Sequence, residues 1–381
     1  MTGRRIAVLS TGRQDWGILR STSLAVAARP DTALELIVGG MHLSEAHGRT
    51  VDLVRADGLE PVAELDWMAD GEDADGQAAR ALDGVGRVLA ERRPNALLLA
   101  GDRFEVAAAA LAATIERIPI VHLHGGEQTE GAFDDALRHA ITKLSHLHLV
   151  SHDEHARRVE AMGEDPSTIH VVGAPSLDAA FRADLADRAE LETNLRLPLA
   201  PPVVVVTVHP ATLDPDPAAV AGPVAEAMDL VPATYVVTLP NTDPGGSSVR
   251  AVMAEAAQRP GRVAVEALGE RRYWGLLRVA DAMLGNSSSG ILEAPAVDLP
   301  AVNVGDRQGG RRREGNVLDA PEDPEAIAEV LRRALSPATR DRVRATHPRG
   351  LDGRVGQRIA DIIAAWDPPV PPRKAPIQID R

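Results

Sequence analysis

The sequence predicts an α/β protein with two parallel sheets, each covered by helices on both faces. Three observations predict it. Short runs rich in Val, Ile, Leu and Ala recur at residues 6–9, 34–38, 96–99, 118–121, 147–150 and 169–172, and again at 203–208, 235–239, 263–265, 282–284 and 301–304. Helix-length stretches separate them, and continuous apolar strands alternating with helices are the pattern of a parallel sheet buried on both sides. The runs fall into two sets in a chain of 381 residues, which suits two domains better than one core. Two Rossmann-like domains are therefore expected, their sheets facing an interdomain cleft.

The expected division is 1–175 for the first domain, 176–352 for the second, 353–367 for a C-terminal helix and 368–381 for a Pro-rich tail. The first boundary follows the run at 169–172, and Arg196-Leu197-Pro198-Leu199-Ala200-Pro201-Pro202 leads into the second sheet. Near the end, Val355, Ile359, Ile362, Ile363 and Trp366 share one stripe at helical spacing. Beyond it, Pro368-Pro369-Val370-Pro371-Pro372 cannot be helical, and the tail is expected to be extended and mobile.

Composition narrows the function. A net charge of −14 argues against a general polyanion-binding surface, so nucleic acid is not an expected partner. Nearly all cationic charge is Arg, with Lys only at Lys143 and Lys374. The absence of cysteine removes disulfides, thiolate catalysis and Cys-ligated metal. Aromatic residues make up 2% of the chain, so the cores must be aliphatic. No apolar run approaches a bilayer-spanning length, and the start at Met1 lacks a signal-peptide core; a cytoplasmic protein is expected.

Ligands of open parallel sheets bind beyond the carboxyl ends of the strands. Those ends read Ser10-Thr11-Gly12-Arg13, Gly39-Gly40-Met41-His42, Gly101-Asp102-Arg103 and His122-Leu123-His124-Gly125-Gly126-Glu127 in the first half. In the second they read His209-Pro210, Pro240-Asn241, Gly285-Asn286-Ser287-Ser288-Ser289-Gly290 and Gly305-Asp306-Arg307. Helix caps and polar turns account for any one of these loops, but not for the whole set. The 285–290 loop follows a strand and opens a helix containing Ile291, Leu292 and Glu293, which is the arrangement of an anion site. Arg13 and Arg307 could clamp the same phosphates. Asp102, Glu127, Glu130, Asp134 and Asp135 supply carboxylates for acid/base work. Their spacing lacks a tight ligand set, so no metal is expected, and no Walker or GxGxxG loop is present, so no dinucleotide cofactor is expected.

With these residues in place, the chain resembles the UDP-N-acetylglucosamine 2-epimerase family over residues 4–366. The resemblance is carried by Ser10-Thr11-Gly12-Arg13-Gln14-Asp15-Trp16, Gly40-Met41-His42-Leu43-Ser44, Gly101-Asp102-Arg103-Phe104-Glu105 and His122-Leu123-His124-Gly125-Gly126-Glu127. It is strongest in Phe133-Asp134-Asp135-Ala136-Leu137-Arg138-His139-Ala140-Ile141-Thr142-Lys143-Leu144-Ser145-His146, then continues through Gly285-Asn286-Ser287-Ser288, Glu293 and Arg307. It implies the GT-B-like fold, a C-terminal helix crossing back to the first domain, a UDP-sugar substrate, no cofactor and a homodimer. The Arg-His-Ala-Ile-Thr-Lys-Leu-Ser signature resembles the hydrolysing branch. That implies anti elimination of UDP through a 2-acetamidoglucal-like intermediate, inversion at C2, and release of UDP plus free ManNAc or a related sugar.

By the same resemblance Asp102, Glu127, Asp134 and His209 are the candidate catalytic residues. The substrate-binding candidates are Arg13, His42, His124, Glu130, Asn241, Ser287, Ser288, Glu293 and Arg307. One departure stands out. Some hydrolysing relatives carry Glu-Gly-Gly-Glu where this chain has His124-Gly125-Gly126-Glu127. Glu127, Glu130 or His124 itself could replace the lost carboxylate, and the variant loop resembles relatives that act on diacetylbacillosamine nucleotides. A non-hydrolysing epimerase giving UDP-ManNAc stays open. So do a glycosyltransferase on the same fold and a non-catalytic UDP-sugar sensor.

Overall fold

The computed structural model describes residues 3–45, 48–68, 73–128, 134–210, 218–240, 246–266, 268–309, 312–347 and 351–374. The chain divides into two compact units, Met1–Asp178 with Asp352–Arg381, and Ala179–Leu351.

The first unit runs β1 (Arg4–Ser10), α1 (Arg13–Ala28), β2 (Thr32–Gly39), α2 (Val51–Ala56), β3 (Ala63–Leu65), α3 (Ala74–Arg92), β4 (Ala96–Ala100), α4 (Phe104–Glu116), β5 (Ile120–Leu123), α5 (Asp134–Leu144), β6 (Leu147–Val150), α6 (Asp153–Ala161) and β7 (Ile169–Val171). Its strands form one parallel sheet in the order β3-β2-β1-β4-β5-β6-β7.

The second unit runs α7 (Arg188–Leu195), β8 (Val203–Thr207), α8 (Ala221–Leu230), β9 (Thr234–Thr238), α9 (Gly246–Ala256), β10 (Arg262–Val265), α10 (Gly269–Val279), β11 (Ala282–Gly285), α11 (Ser289–Leu292), β12 (Ala301–Val304), β13 (Val317–Ala320), α12 (Pro324–Ala334) and α13 (Pro337–Ala345). Its parallel sheet has the order β10-β9-β8-β11-β12-β13. Strand order reverses between β1 and β4 and between β8 and β11, and such switch points open the crevices in which ligands sit.

The sequence missed β3 and β13. Both are edge strands. Ala63-Glu64-Leu65 and Val317-Leu318-Asp319-Ala320 are only partly covered, so neither shows a continuous apolar run. The central strands β4 and β8 are buried throughout.

A last helix, α14 (Val355–Ala365), returns to the first unit. Val355, Ile359, Ala360 and Ile363 are buried with Trp16, Leu19 and Val26 of α1. A side chain at Gly356 would meet the Ser21 backbone within 2.5 Å, so glycine sets how closely the two helices approach. The Asp178 carboxylate accepts the Val355 and Gly356 N–H groups at 3.0 and 2.7 Å, covering two donors that a helix start leaves unpaired.

Of the tail, only residues up to Lys374 are described, and a buried carboxylate holds Lys374. Lys374 Nζ lies 2.5 Å from Glu164 Oε2 and donates to the Lys143 carbonyl at 2.8 Å. Lys143 Nζ reaches Glu164 Oε1 at 2.6 Å, and His148 Nε2 lies 3.1 Å from Oε2. Both lysines of the chain thus converge on one carboxylate. Burial would raise the Glu164 carboxyl, but hydrogen bonds from His148, Lys143 and Lys374 outweigh it and hold the group at about 2. Its folded value lies below its unfolded one, so its stabilisation is complete above the ordinary carboxyl range and is lost as pH falls toward about 2. Glu164→Gln is expected to lower the thermal midpoint at neutral pH. It should also flatten the acid decline over roughly pH 5 to 2. Midpoint-versus-pH curves of equal slope for the two proteins would show that this cluster contributes nothing.

No helix among the described residues is long and apolar enough to cross a membrane.

Candidate active site

In the first unit the register pairs Leu99 with His122 and Ala100 with Leu123. The loops opening at Gly101 and His124 therefore leave neighbouring strands, which run about 4.8 Å apart. Backbone bonds tie them: Gly101 N–H donates to the Leu123 carbonyl at 3.0 Å, and His124 N–H to the Leu149 carbonyl at 3.1 Å. Beneath them lies His122, fully buried, its Nε2 2.9 Å from the Gly101 carbonyl and its Nδ1 3.1 Å from the Thr142 hydroxyl. Burial pushes this imidazole down to about 3, so it stays neutral and holds the loop before Asp102 in place.

Asp102 receives one guanidinium nitrogen of Arg138, whose other terminal nitrogen donates to Asp135 at 3.1 Å. Arg138 is 5% exposed, while the Asp102 side chain keeps 24% of its surface open. One carboxylate oxygen is thus oriented by a buried charge, and the group stays reachable.

On the next strand end, His124 has φ +66 and places Nδ1 2.6 Å from Glu127 Oε1. The same oxygen accepts from Ser151 at 3.0 Å, and Ser151 Oγ lies 2.9 Å from His155 Nδ1. Gly126 makes this possible: its φ is +75, and a Cβ there would sit 2.5 Å from the His155 carbonyl. Burial alone would lower the His124 pKa, but the charge and hydrogen bond of Glu127 outweigh it and raise the group above the usual histidine value. Burial pulls Glu127 the other way, and His124, His155 and Ser151 hold its carboxyl well below the usual range. Each partner thus favours the charged form of the other, imidazolium for His124 and carboxylate for Glu127, and Asp102 stands on the neighbouring strand end. Opposite protonation roles on neighbouring strand ends are what proton removal and proton return require.

The remaining candidates of this unit fall differently. Arg13 is exposed at the start of α1. His42 is fully buried, with Nε2 2.8 Å from Ser10 Oγ and Nδ1 2.9 Å from Thr50 Oγ1, and burial lowers its pKa to about 4. Both nitrogens are taken, so His42 braces the loops after β1 and β2 and has no free atom for a ligand. Glu130 and Asn241 lie outside the described residues, as does the side chain of Asp134 at the start of α5.

In the second unit the loops after β8 and β11 are clamped together. Asn286 Oδ1 accepts from His209 N–H at 2.7 Å, and its Nδ2 donates to the His209 carbonyl at 2.8 Å. Arg307 donates to the carbonyls of Pro210 and Asn286, both at 3.2 Å, and Gln308 reaches the Asn286 carbonyl at 2.9 Å. The expected phosphate clamp here secures loop carbonyls. The helix after Asn286 is also shorter than expected: α11 has four residues, and Glu293 stands between it and a 3-10 turn at Ala294–Val297. Its dipole is correspondingly small, so anion binding would rest on the half-buried Ser287 and Ser288 and on local N–H groups. Ser289 Oγ is hydrogen-bonded to Tyr273. Burial raises the Glu293 carboxyl, and a Ser289 hydrogen bond partly offsets it.

Arg138, Asn286, Ser151 and His155 had no assigned role in the sequence. Ser151 follows β6 directly, so the strand-end rule could have found it. Nothing local marks Asn286 as a clamp on a residue 77 positions away.

The profile of the UDP-N-acetylglucosamine 2-epimerase family matches residues 24–364. The chain is 35% identical over 341 residues to a hydrolysing UDP-N,N'-diacetylbacillosamine 2-epimerase of Legionella pneumophila, covering 87% of this chain and 89% of that protein. It is 30% identical over 332 residues to a hydrolysing GDP/UDP-N,N'-diacetylbacillosamine 2-epimerase of Campylobacter jejuni, covering 84% and 85%. Its fold matches the crystal structure of Neisseria meningitidis UDP-GlcNAc 2-epimerase bound to UDP-GlcNAc with a TM-score of 0.79 at 15% identity, over 94% of this chain and 99% of that one. The two parallel α/β units are thus GT-B-like, and the chain is an enzyme that belongs to the UDP-N-acetylglucosamine 2-epimerase family.

Proposed function

We propose that the chain is a hydrolysing 2-epimerase that converts a UDP-linked 2-acetamido sugar and water into UDP and the free 2-epimeric sugar. The observation that carries this reading is the pairing, on adjacent strand ends, of Asp102 oriented by Arg138 with His124 oriented by Glu127. Asp102 takes the C2 proton, the anomeric C–O bond breaks, and UDP leaves with the bonding pair. The 2-acetamidoglucal-like intermediate then gains a proton at C2 from the other face and a water oxygen at C1. Asp134 shares this acid/base work.

The second unit holds the UDP. Ser287 and Ser288 donate to phosphate, Glu293 and Asn241 serve the nucleoside, and His209 supports the leaving group. Arg13 and Arg307 neutralise the diphosphate, and Arg307 exchanges loop carbonyls for phosphate when it does so. His42 acts as a brace and not as a contact. The enzyme works as a cytoplasmic homodimer without cofactor.

A second reading of the sugar is favoured by the His124-Gly125-Gly126-Glu127 loop and by the names of the Legionella and Campylobacter relatives: the substrate is UDP-N,N'-diacetylbacillosamine. Proton NMR in deuterium oxide, run separately with UDP-GlcNAc and with this nucleotide, tests both. The expected result with one of them is UDP, a free sugar and deuterium at C2. A lasting UDP-ManNAc product would make the enzyme non-hydrolysing. Binding without exchange would make it a sensor, and a required acceptor would make it a transferase.

A further inference from the structure

We propose that His124 is the catalytic acid that returns a proton to C2, an imidazolium taking the place of a second carboxylate; the proposal rests on the epimerase reading above. Its position comes first. His124 leaves β5 beside the strand end that carries Asp102, and its ring is held by one nitrogen only. Nδ1 is committed to Glu127, whereas Nε2 is buried with no hydrogen-bond partner among the described residues. A buried polar nitrogen without a partner is rare in a folded protein and calls for a partner that arrives with the ligand.

The backbone adds an independent observation. His124 holds φ +66, a left-handed conformation uncommon outside glycine, and strain of this kind persists where the surroundings impose it. Here they do. The loop is pinned on one side by the bond to the Leu149 carbonyl and on the other by the close approach of Gly126 to α6. Relaxing His124 would turn its ring off Glu127.

Glu127 is a poor candidate for the same task. An acid must carry a proton before it reacts, yet the Glu127 carboxylate faces His124, the Ser151 hydroxyl and His155, which all favour its charged form. Its place is that of a positioning residue. His155 and Ser151 form a short chain of donors that ends on Glu127 and fixes the tautomer and plane of the His124 ring. The charged or titratable groups around His124 are Glu127 in its own loop, Asp102 after β4, Arg138 on α5 and His122 on β5, with His155 of α6 beyond Glu127.

The step balances. Nε2–H gives its proton to C2 of the unsaturated intermediate, whose π pair forms the new C–H bond, and water supplies hydroxide to C1. The proton left by that water restores the imidazolium. The proton taken by Asp102 in the first half is released to solvent with UDP.

The test uses the full chain and whichever of UDP-GlcNAc or UDP-N,N'-diacetylbacillosamine the wild-type protein turns over. His124→Asn is expected to slow free-sugar formation by about 10²-fold or more, the usual contribution of a positioned acid. In single turnover it should still release UDP and accumulate the unsaturated sugar, because elimination needs only the base. Wild-type activity should fall at high pH as the imidazolium deprotonates. Glu127→Gln should move that limb to lower pH, and it serves as the second variant if His124→Asn does not fold by circular dichroism. His124→Glu should recover part of the rate, with its limb also at lower pH. Free-sugar formation by His124→Asn within about threefold of wild type overturns the proposal. So does loss of UDP release together with product in a folded variant, and so does an unmoved limb in Glu127→Gln. Wild-type protein that neither releases UDP nor exchanges C2 with either nucleotide defeats the epimerase reading itself and takes this proposal with it.

Discussion

Asp102→Asn is expected to lower turnover by about 10³-fold and to abolish deuterium entry at C2, with little change in thermal stability. Asparagine matches aspartate in size and keeps an oxygen that can accept from Arg138. Asp135 remains at 3.1 Å as a counterion, so Arg138 is not left as an unpaired buried charge. What disappears is the basic oxygen proposed to take the C2 proton; of the described neighbours, Glu127 is bound to His124, Asp135 is tied to Arg138, and His122 is buried with both nitrogens engaged. The measurement is C2 exchange by proton NMR beside a thermal melt. Exchange within tenfold of wild type would remove Asp102 from the chemistry. A large drop in midpoint would instead make the ion pair with Arg138 structural.

Gly285→Ala should act on the other half of the reaction. Gly285 has φ +135, and a Cβ there would fall 2.0 Å from the Thr207 carbonyl oxygen. That contact is backbone, so no rotamer change relieves it, and the strands β8 and β11 must separate where they pair Gly285 with Thr207. The strain should cost about 3 kcal/mol, which for a unit of this size lowers the midpoint by roughly 6–12 °C. The same shift pulls Asn286 off the His209 backbone, so UDP affinity should weaken more than tenfold by calorimetry. Wild-type affinity in a folded Gly285→Ala protein would separate the Asn286 clamp from nucleotide binding.

Much of this architecture is legible in the sequence, for a simple reason. Strands covered on both faces must be apolar throughout, so β1, β4, β6, β8 and β11 stand out as runs, and the polar residues after them mark the ligand-facing end. Edge strands are not so constrained, which hides β3 and β13. The Gly285–Gly290 loop was visible, but the length of its helix was not: α11 stops after one turn and a 3-10 turn containing Pro295 follows. The Pro-rich tail could be read as non-helical, while the anchor of Lys374 on Glu164 could not, because the attraction depends on a carboxylate 210 residues earlier having been buried.

The sequence by itself determined the class of fold, the strand-end loops that hold the candidate site residues and, through its motifs, the family. Only the tertiary structure decided which of those residues act on one another. Asp102 meets Arg138 and His209 meets Asn286 across 36 and 77 residues because strand order, not local propensity, brings their loops together. Burial then separates residues of one type: it holds His42 and His122 toward the neutral form, while His124, a little more open and facing Glu127, is pushed toward its charged form. His124 acquires its meaning from that single neighbour. Burial in low dielectric makes a partner's charge decisive, and the partner is set by a turn at Gly126 that only the folded loop displays.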